Sequence, residues 1–162
     1  MHVFGHNILF YALWAASLSV SGFAIWKGDM AVRWAGVVQI GAYVLALLDG
    51  VVGSAAVTSF ELGRSLVSAA LYLLLAVRYA NLWIGGAMLL QSAEFSLVAY
   101  YIVADRPPDR LHAWINNTCE WGIILCILAG AVLSILRRRA VAREAAELEA
   151  LRLQRAQARE TR

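Results

Sequence analysis

The stretch MLLQSAEFSLVAYY, Met88–Tyr101, places one carboxylate, Glu94, in the middle of an otherwise apolar run. Between Arg78 and Asp105 it is the sole charged residue. About 20 apolar residues are needed to cross the roughly 30 Å of hydrocarbon in a bilayer, and the block around Glu94, residues 82–103, has that length. The reading of this block decides the fold: a chain that can place such a segment only in lipid is a membrane protein, and its carboxylate needs an explanation.

The surrounding sequence repeats the pattern. Of 162 residues, 61% are hydrophobic and 15% charged, and the mean hydropathy is +0.65. Soluble domains are closer to half apolar and a quarter charged. The excess falls in blocks, which predicts an all-α, polytopic membrane helix bundle at residues 1–136. Five transmembrane helices are expected, at about 8–26, 31–48, 62–77, 82–103 and 111–136. A four-span alternative drops the third block, which is short and has Arg64 near one end and Arg78 at the other. The first block is long enough to span and nothing basic precedes it, so it reads as a span and not as a cleaved leader.

Charge gives the expected orientation. With five spans and the tail inside, Lys27, Arg33, Arg78 and the cluster Arg137, Arg138, Arg139 all fall on the cytoplasmic side, while Asp49, Glu61, Asp105 and Asp109 fall outside. Four spans would move Lys27 and Arg33 outside. The expected location is therefore the inner membrane, multi-pass, with the N-terminus outside and the C-terminus cytoplasmic. Residues 137–162 hold eight Arg and four Glu and are rich in helix formers, so a basic cytoplasmic helical tail is expected to continue the last span. Its apolar seam is short: Val141, Leu148 and Leu151. Arg137, Arg138 and Arg139 are candidates for contact with anionic lipid or a partner. A basic surface on a folded module, which nucleic-acid binding requires, is not in the pattern.

The loops carry local signals. VRYANLW is a tight turn that makes spans three and four antiparallel neighbours. ADRPPDR stops span four with two prolines, and Asp109 is placed to cap the next helix. DGVVGSAAVTSFE, from Asp49 to Glu61, is apolar but interrupted by glycines and reads as a segment lying in the outer interface.

An ionised carboxylate at mid-bilayer costs at least roughly 2.5 kcal/mol. With no Lys or Arg expected at that depth, Glu94 is expected to be carried as the neutral acid, which both donates and accepts a hydrogen bond. Its candidate partners by depth are Gln91, one turn earlier, then Tyr72 on the neighbouring span, then Gln39 and Tyr43 on span two. Small residues let helices approach closely in lipid. Gly85, Ser92, Ser96 and Ala99 lie opposite Glu94, so span four is expected to be packed on two faces and central to the bundle. Similar stripes run through Ala15, Ser19 and Gly22 in span one, and through Cys119, Gly122, Cys126 and Ala129 in span five. The two cysteines are about 10 Å apart along one helix, too far to bridge.

An outer-side cluster gathers His2, His6, Asp105, Asp109, His112 and Glu120. A metal site, or a haem between His6 and His112, can be drawn there, but no motif concentrates the ligands on one helix. Interfacial and capping roles are the expectation, with no metal and no cofactor. Asn116 and Asn117 are read as polar groups near the headgroups. No Ser/His/Asp grouping, phosphate loop or metalloprotease motif is present. Glu94 and Glu120 are expected about two turns apart in depth, which leaves no paired acid for intramembrane catalysis.

These features predict a non-enzymatic membrane subunit or scaffold acting through helix–helix assembly, as a homo-oligomer or with a membrane-protein partner in the lipid bilayer. The alternatives are a proton or cation channel or transporter using Glu94, and a holin-like membrane-permeabilising protein.

Overall fold

The computed structural model describes the backbone of residues 3–48 and 54–160, and the side chains of residues 11–47, 60–152, 154 and 157. It is all-helical over these residues. Five helices follow one another: α1 (Val3–Lys27), α2 (Met30–Leu48), α3 (Ser54–Tyr79), α4 (Leu82–Val103) and α5 (Arg110–Glu160). Stretches of α2, α3, α4 and α5 are long and apolar enough to cross a membrane: Met30–Leu47, Phe60–Tyr79, Leu82–Val103 and Arg110–Arg152.

Polar side chains share the interior with the apolar core, while large apolar side chains cover the outside. Ser17, Ser21, Gln39, Ser65, Ser68, Gln91, Glu94 and Ser134 are inside, whereas Leu82 is 96% exposed, Val103 87% and Val77 77%. In water an apolar surface this extensive would drive association. Facing hydrocarbon it is the low-energy arrangement, and the polar groups turn inward because lipid offers them no partner.

The helices form a ring. α1 packs on α2, α2 on α3, α3 on α4, α4 on α5 and α5 back on α1, while α2 and α5 also meet across the middle. α2 and α5 each touch three neighbours and α4 touches two, so α4 is not the central helix. Its buried face is Ile84, Ala87, Gln91, Glu94, Val98 and Tyr101. The opposite stripe faces outward: Ser96 is exposed, and a methyl group added at Gly85 would meet nothing within 4 Å. Expected packing on two faces is thus corrected to one. On α1 the buried stripe is Leu13, Ser17, Ser21 and Ala24, and Ala15, Ser19 and Gly22 are exposed. The α5 stripe faces inward at Cys119, Gly122 and Cys126, whereas Ala129 is exposed. Cys126 Sγ lies 3.1 Å from where a Gly86 Cβ would stand, and Leu90 lies over Gly122.

The largest change of boundary is in α3, which is 26 residues long and begins at Ser54, eight residues before the expected start. Once past Gly53 the run SAAVTSF carries no residue that stops a helix, so the second half of the expected interfacial segment belongs to α3. Asp49–Gly53, like His2, lies outside the described residues. α3 and α4 are joined through Ala80, whose φ of 49° is left-handed, and Asn81, which precedes the first turn of α4 with extended backbone.

The two ends of the ring differ. At the end where α1 turns into α2, Asp29 Oδ1 accepts the Val32 N–H at 3.0 Å, capping α2. α5 clamps this turn: Ser134 Oγ accepts the Asp29 N–H at 2.9 Å, and Arg138 Nη2 donates to the Gly28 carbonyl at 2.8 Å. Arg138 is therefore engaged within the protein, a role its expected contact with lipid or a partner did not include. Gly28 fits because a Cβ there would collide with the Ala24 carbonyl and Val32. This half of the bundle holds a buried apolar cluster, half of it alanine: Ala24, Val32, Ala35, Tyr72, Ala87, Ile123, Ile127 and Ala131. Beyond it, every described residue of α5 from Leu136 onward is exposed.

Trp83 lies flat against Gly130, with ring carbons 2.6 Å from the position of an added Cβ. Gly130→Ala is expected to lower stability by about 1–3 kcal/mol through overpacking, read as a shifted unfolding midpoint in mixed micelles. Gly85→Ala, facing open space, is expected to stay within about 0.5 kcal/mol of the parent chain.

Candidate functional site

The other half of the bundle, toward the end where Pro107 and Pro108 connect α4 to α5, is not close-packed. It holds a partly open cavity of about 260 Å³ to which all five helices contribute: Leu13 and Trp14 from α1, Gln39, Ala42, Tyr43 and Ala46 from α2, Arg64 from α3, Gln91 and Glu94 from α4, and Asn116, Asn117 and Glu120 from α5.

Depth explains the convergence. Glu94 is nine residues before the end of α4, and Glu120 ten residues after the start of α5. At 1.5 Å per residue these are about 14 Å and 15 Å from the same end. The expected two-turn separation is corrected: the two carboxylates lie at one depth and face one cavity. Arg64, expected to reach an interface, is ten residues into α3 because that helix starts at Ser54, and it too lines the cavity.

Hydrogen bonds order the walls. Tyr72 Oη donates to Gln39 Oε1 at 2.8 Å. That bond fixes the amide so that Gln39 Nε2 donates to Glu120 Oε1 at 2.6 Å, and Tyr43 Oη donates to the same oxygen at 2.6 Å. One chain thus ties α3 to α2 and α2 to α5. Tyr43 is held by an edge-on contact with Trp14, ring centroids 4.9 Å apart. On α4, Gln91 Nε2 donates to Glu94 Oε2 at 3.1 Å. Tyr72, expected to serve Glu94, serves Gln39 instead, and Glu120, expected in the outer cluster, is the acceptor at the centre of the network. Glu94 Oε1 and Glu120 Oε2 remain for whatever enters the cavity. Two further polar atoms of lining residues, Arg64 Nε and Asn116 Oδ1, are buried without a hydrogen-bond partner.

The rest of the expected outer cluster divides. Asp105 and His112 line a second cavity of about 510 Å³ at the Pro107–Pro108 end, with Glu61, Tyr101 and Arg106. Asp109 Oδ1 accepts the His112 N–H at 2.8 Å and the Tyr101 hydroxyl at 2.7 Å, capping α5 and tying it to α4. The His112 ring meets Tyr101 edge-on at 4.8 Å. The side chain of His6 lies outside the described residues, as His2 does. Among the described residues no group of three His, Cys, Asp or Glu side chains stands close enough to hold a metal ion. Cys119 and Cys126 are free thiols. Arg137 and Arg139 are exposed beyond the bundle.

Arg64, Asn116 and Asn117, with Leu13, Trp14, Ala42 and Ala46, are the lining residues that the sequence pattern did not place in the site. The signal for Arg64 was present: a helix-compatible run precedes it by more than two turns. No known protein family matches the chain, and neither a characterised protein nor a solved structure is significantly similar to it.

Two predictions test this geometry. Tyr72→Phe removes the donor to a buried amide oxygen and is expected to cost about 1–3 kcal/mol. Combined with Gln39→Leu the losses are expected to be less than additive, because both act on one hydrogen-bonded chain; unfolding midpoints of the two single variants and the double variant measure this. The second concerns the Asp109 cap. The His112 N–H, and then the Tyr101 hydroxyl, hold its carboxyl below the ordinary value. A lowered folded value means that its contribution is full above the unfolded value, about 3.9, and is lost as pH falls through the folded one. The melting midpoint of the parent chain is expected to drop between about pH 5 and pH 3 more steeply than that of Asp109→Asn.

Proposed function

We propose that this chain is a five-span membrane protein that binds a small polar solute together with a proton inside its bundle and carries them without covalent chemistry. The cavity carries the reading. Two carboxylates at one depth face it with uncommitted oxygens, alongside a guanidinium. A hydrogen-bond knot that served only helix register would be closed, each polar atom answered by a neighbour. Ionisable groups kept at bilayer depth around a cavity mark substrate and proton pathways. The lining shares no residue with the Ala24–Ala131 cluster that fills the other half of the bundle, so the cavity suits a binding site reached from one side, as in alternating access, better than a continuous pore.

In this reading α1 (Val3–Lys27) is the fifth span. Lys27, Arg33, Arg78, Arg137, Arg138 and Arg139 gather at the Gly28 end of the ring, which the positive-inside rule makes cytoplasmic. The N-terminus and the Pro107–Pro108 connection are then outside, the cavity is reached from outside, and residues 137–162 form a cytoplasmic helical tail on a bundle of residues 1–136, in a cell's inner membrane.

Assembly is a second reading. The small-residue stripe Ala15–Ser19–Gly22 and, on α4, Ser96 are exposed, Gly85 and Ser92 are half-buried, and Val141, Leu148 and Leu151 are exposed on α5. These surfaces favour a homo-oligomer or a membrane-protein partner. A detergent-extracted particle of one 17.7 kDa chain and nothing else would remove that reading.

The proton site is tested by infrared titration of the chain in lipid nanodiscs. A protonated-carboxyl band that fades as pH rises is expected, and Glu94→Gln is expected to remove at least half of it while the melting midpoint is kept. An unchanged band in Glu94→Gln, or no titrating band in the parent chain, would overturn the proposal.

A further inference from the structure

The identity of the solute can be narrowed from the chemistry of the walls, on the basis of the cavity reading just given. We infer that it is a small zwitterion, with an ammonium group and a carboxylate on one short skeleton.

Size comes first. A volume of about 260 Å³ is the share of about nine waters and lies below the roughly 300–1,000 Å³ of sites for drug-sized ligands. A bare metal ion would need a compact set of oxygen ligands, and the described residues present no such group.

Charge comes second. The walls are bipolar. Glu94 and Glu120 stand on α4 and α5, and Arg64 on α3; α3 and α5 both pack on α2 and α4, which separate them, so Arg64 and Glu120 reach the cavity from opposite walls. On the α5 side, Glu120 Oε1 accepts the Tyr43 hydroxyl, and the Tyr43 and Trp14 rings, edge-on to one another, line the same cavity. A carboxylate beside aromatic rings is a site for an ammonium group, which gains both the ion pair and the cation–π attraction. On the α3 side the Arg64 Nε donor is buried and unpartnered. A guanidinium in that state is answered by a carboxylate, through charge-assisted hydrogen bonds. The buried Asn116 Oδ1 adds an acceptor for an N–H. A simple cation would be repelled by Arg64 and leave its Nε without a hydrogen-bond partner, and a simple anion would meet two carboxylates. A molecule with both charges satisfies both walls.

The leftover charge links the zwitterion to the proton. With both carboxylates ionised, the two Glu and one Arg sum to one negative charge, which a zwitterion does not cancel. One proton on Glu94, the carboxyl expected to be neutral, does, so the zwitterion meets a site that already carries its proton.

The test is isothermal titration of the full chain in nanodiscs with glycine, β-alanine, γ-aminobutyrate and glycine betaine as zwitterions, tetramethylammonium and ethylammonium as cations, and propionate as anion. At least one zwitterion is expected to bind tenfold or more tightly than every singly charged probe. Arg64→Gln is expected to reduce that advantage to less than twofold, and Arg64→Lys to retain part of it. Equal or tighter binding of a cation by the parent chain would overturn the inference, and so would binding of none of the four zwitterions. The parent-chain comparison needs no variant to fold. If the infrared carboxyl titration lost in Glu94→Gln is present in either case, the proton-binding reading stands while the zwitterion fails; if it too is absent, both fail together.

Discussion

A polar atom in hydrocarbon must be answered by another polar atom of the protein, because no water is there to do it. The hydrogen-bonded chain from Tyr72 through Gln39 to Glu120 is where this bundle meets that requirement. It joins three helices by side chains alone and orients an amide, which has a donor end and an acceptor end and so transmits direction. With Tyr72 donating on one side, Gln39 can present only its N–H groups to Glu120. Tyr43 reinforces the same oxygen. The position of Glu120, and with it the shape of the cavity, depends on this sequence of donors.

The network also marks the boundary between two kinds of packing. Below it, Ala24, Ala35, Ala87 and Ala131 bring helix backbones close, which is how helices gain van der Waals energy in lipid where no hydrophobic difference draws them together. Above it, longer polar side chains hold the helices apart. Close approach on one side and separation on the other make a cavity with a floor. The turn at Gly28 and Asp29, clamped by Ser134 and Arg138, closes the tight end, and the Asp109 cap with Tyr101 ties the open end.

Much of the fold was legible in the residues. Long apolar blocks, the tight turn at Ala80 and Asn81, the prolines after α4 and the capping role of Asp109 all follow from local chemistry. Glu94 and Gln91 lie three residues apart on one helix, so their contact follows from helical geometry. The errors came from depth and rotation. Starting α3 at Leu62 put Arg64 near an interface; starting it at Ser54 puts the same residue inside. Glu120 was set among the outer histidines by its nearness to the loop, although ten residues of helix carry it about 15 Å inward. The stripes on α1 and α4 were assigned to the bundle because small residues pack well, but each of these helices has other residues able to pack, and only one face of each is buried.

By itself, then, the sequence determined that the chain is helical with segments long and apolar enough to cross a membrane, which end of the bundle gathers the basic residues, and that Glu94 demands company. These are consequences of segment length, of hydration energy and of charge order along the chain, all of which are local. The tertiary structure decided who the company is: Glu120, Arg64 and the asparagines, brought to one depth by helix starts and to one side by helix rotation. In a bilayer both faces of an apolar helix meet an equally apolar solvent, so hydropathy cannot select the rotation. Packing of particular side chains against particular backbones does, and it exists only once all the helices are together.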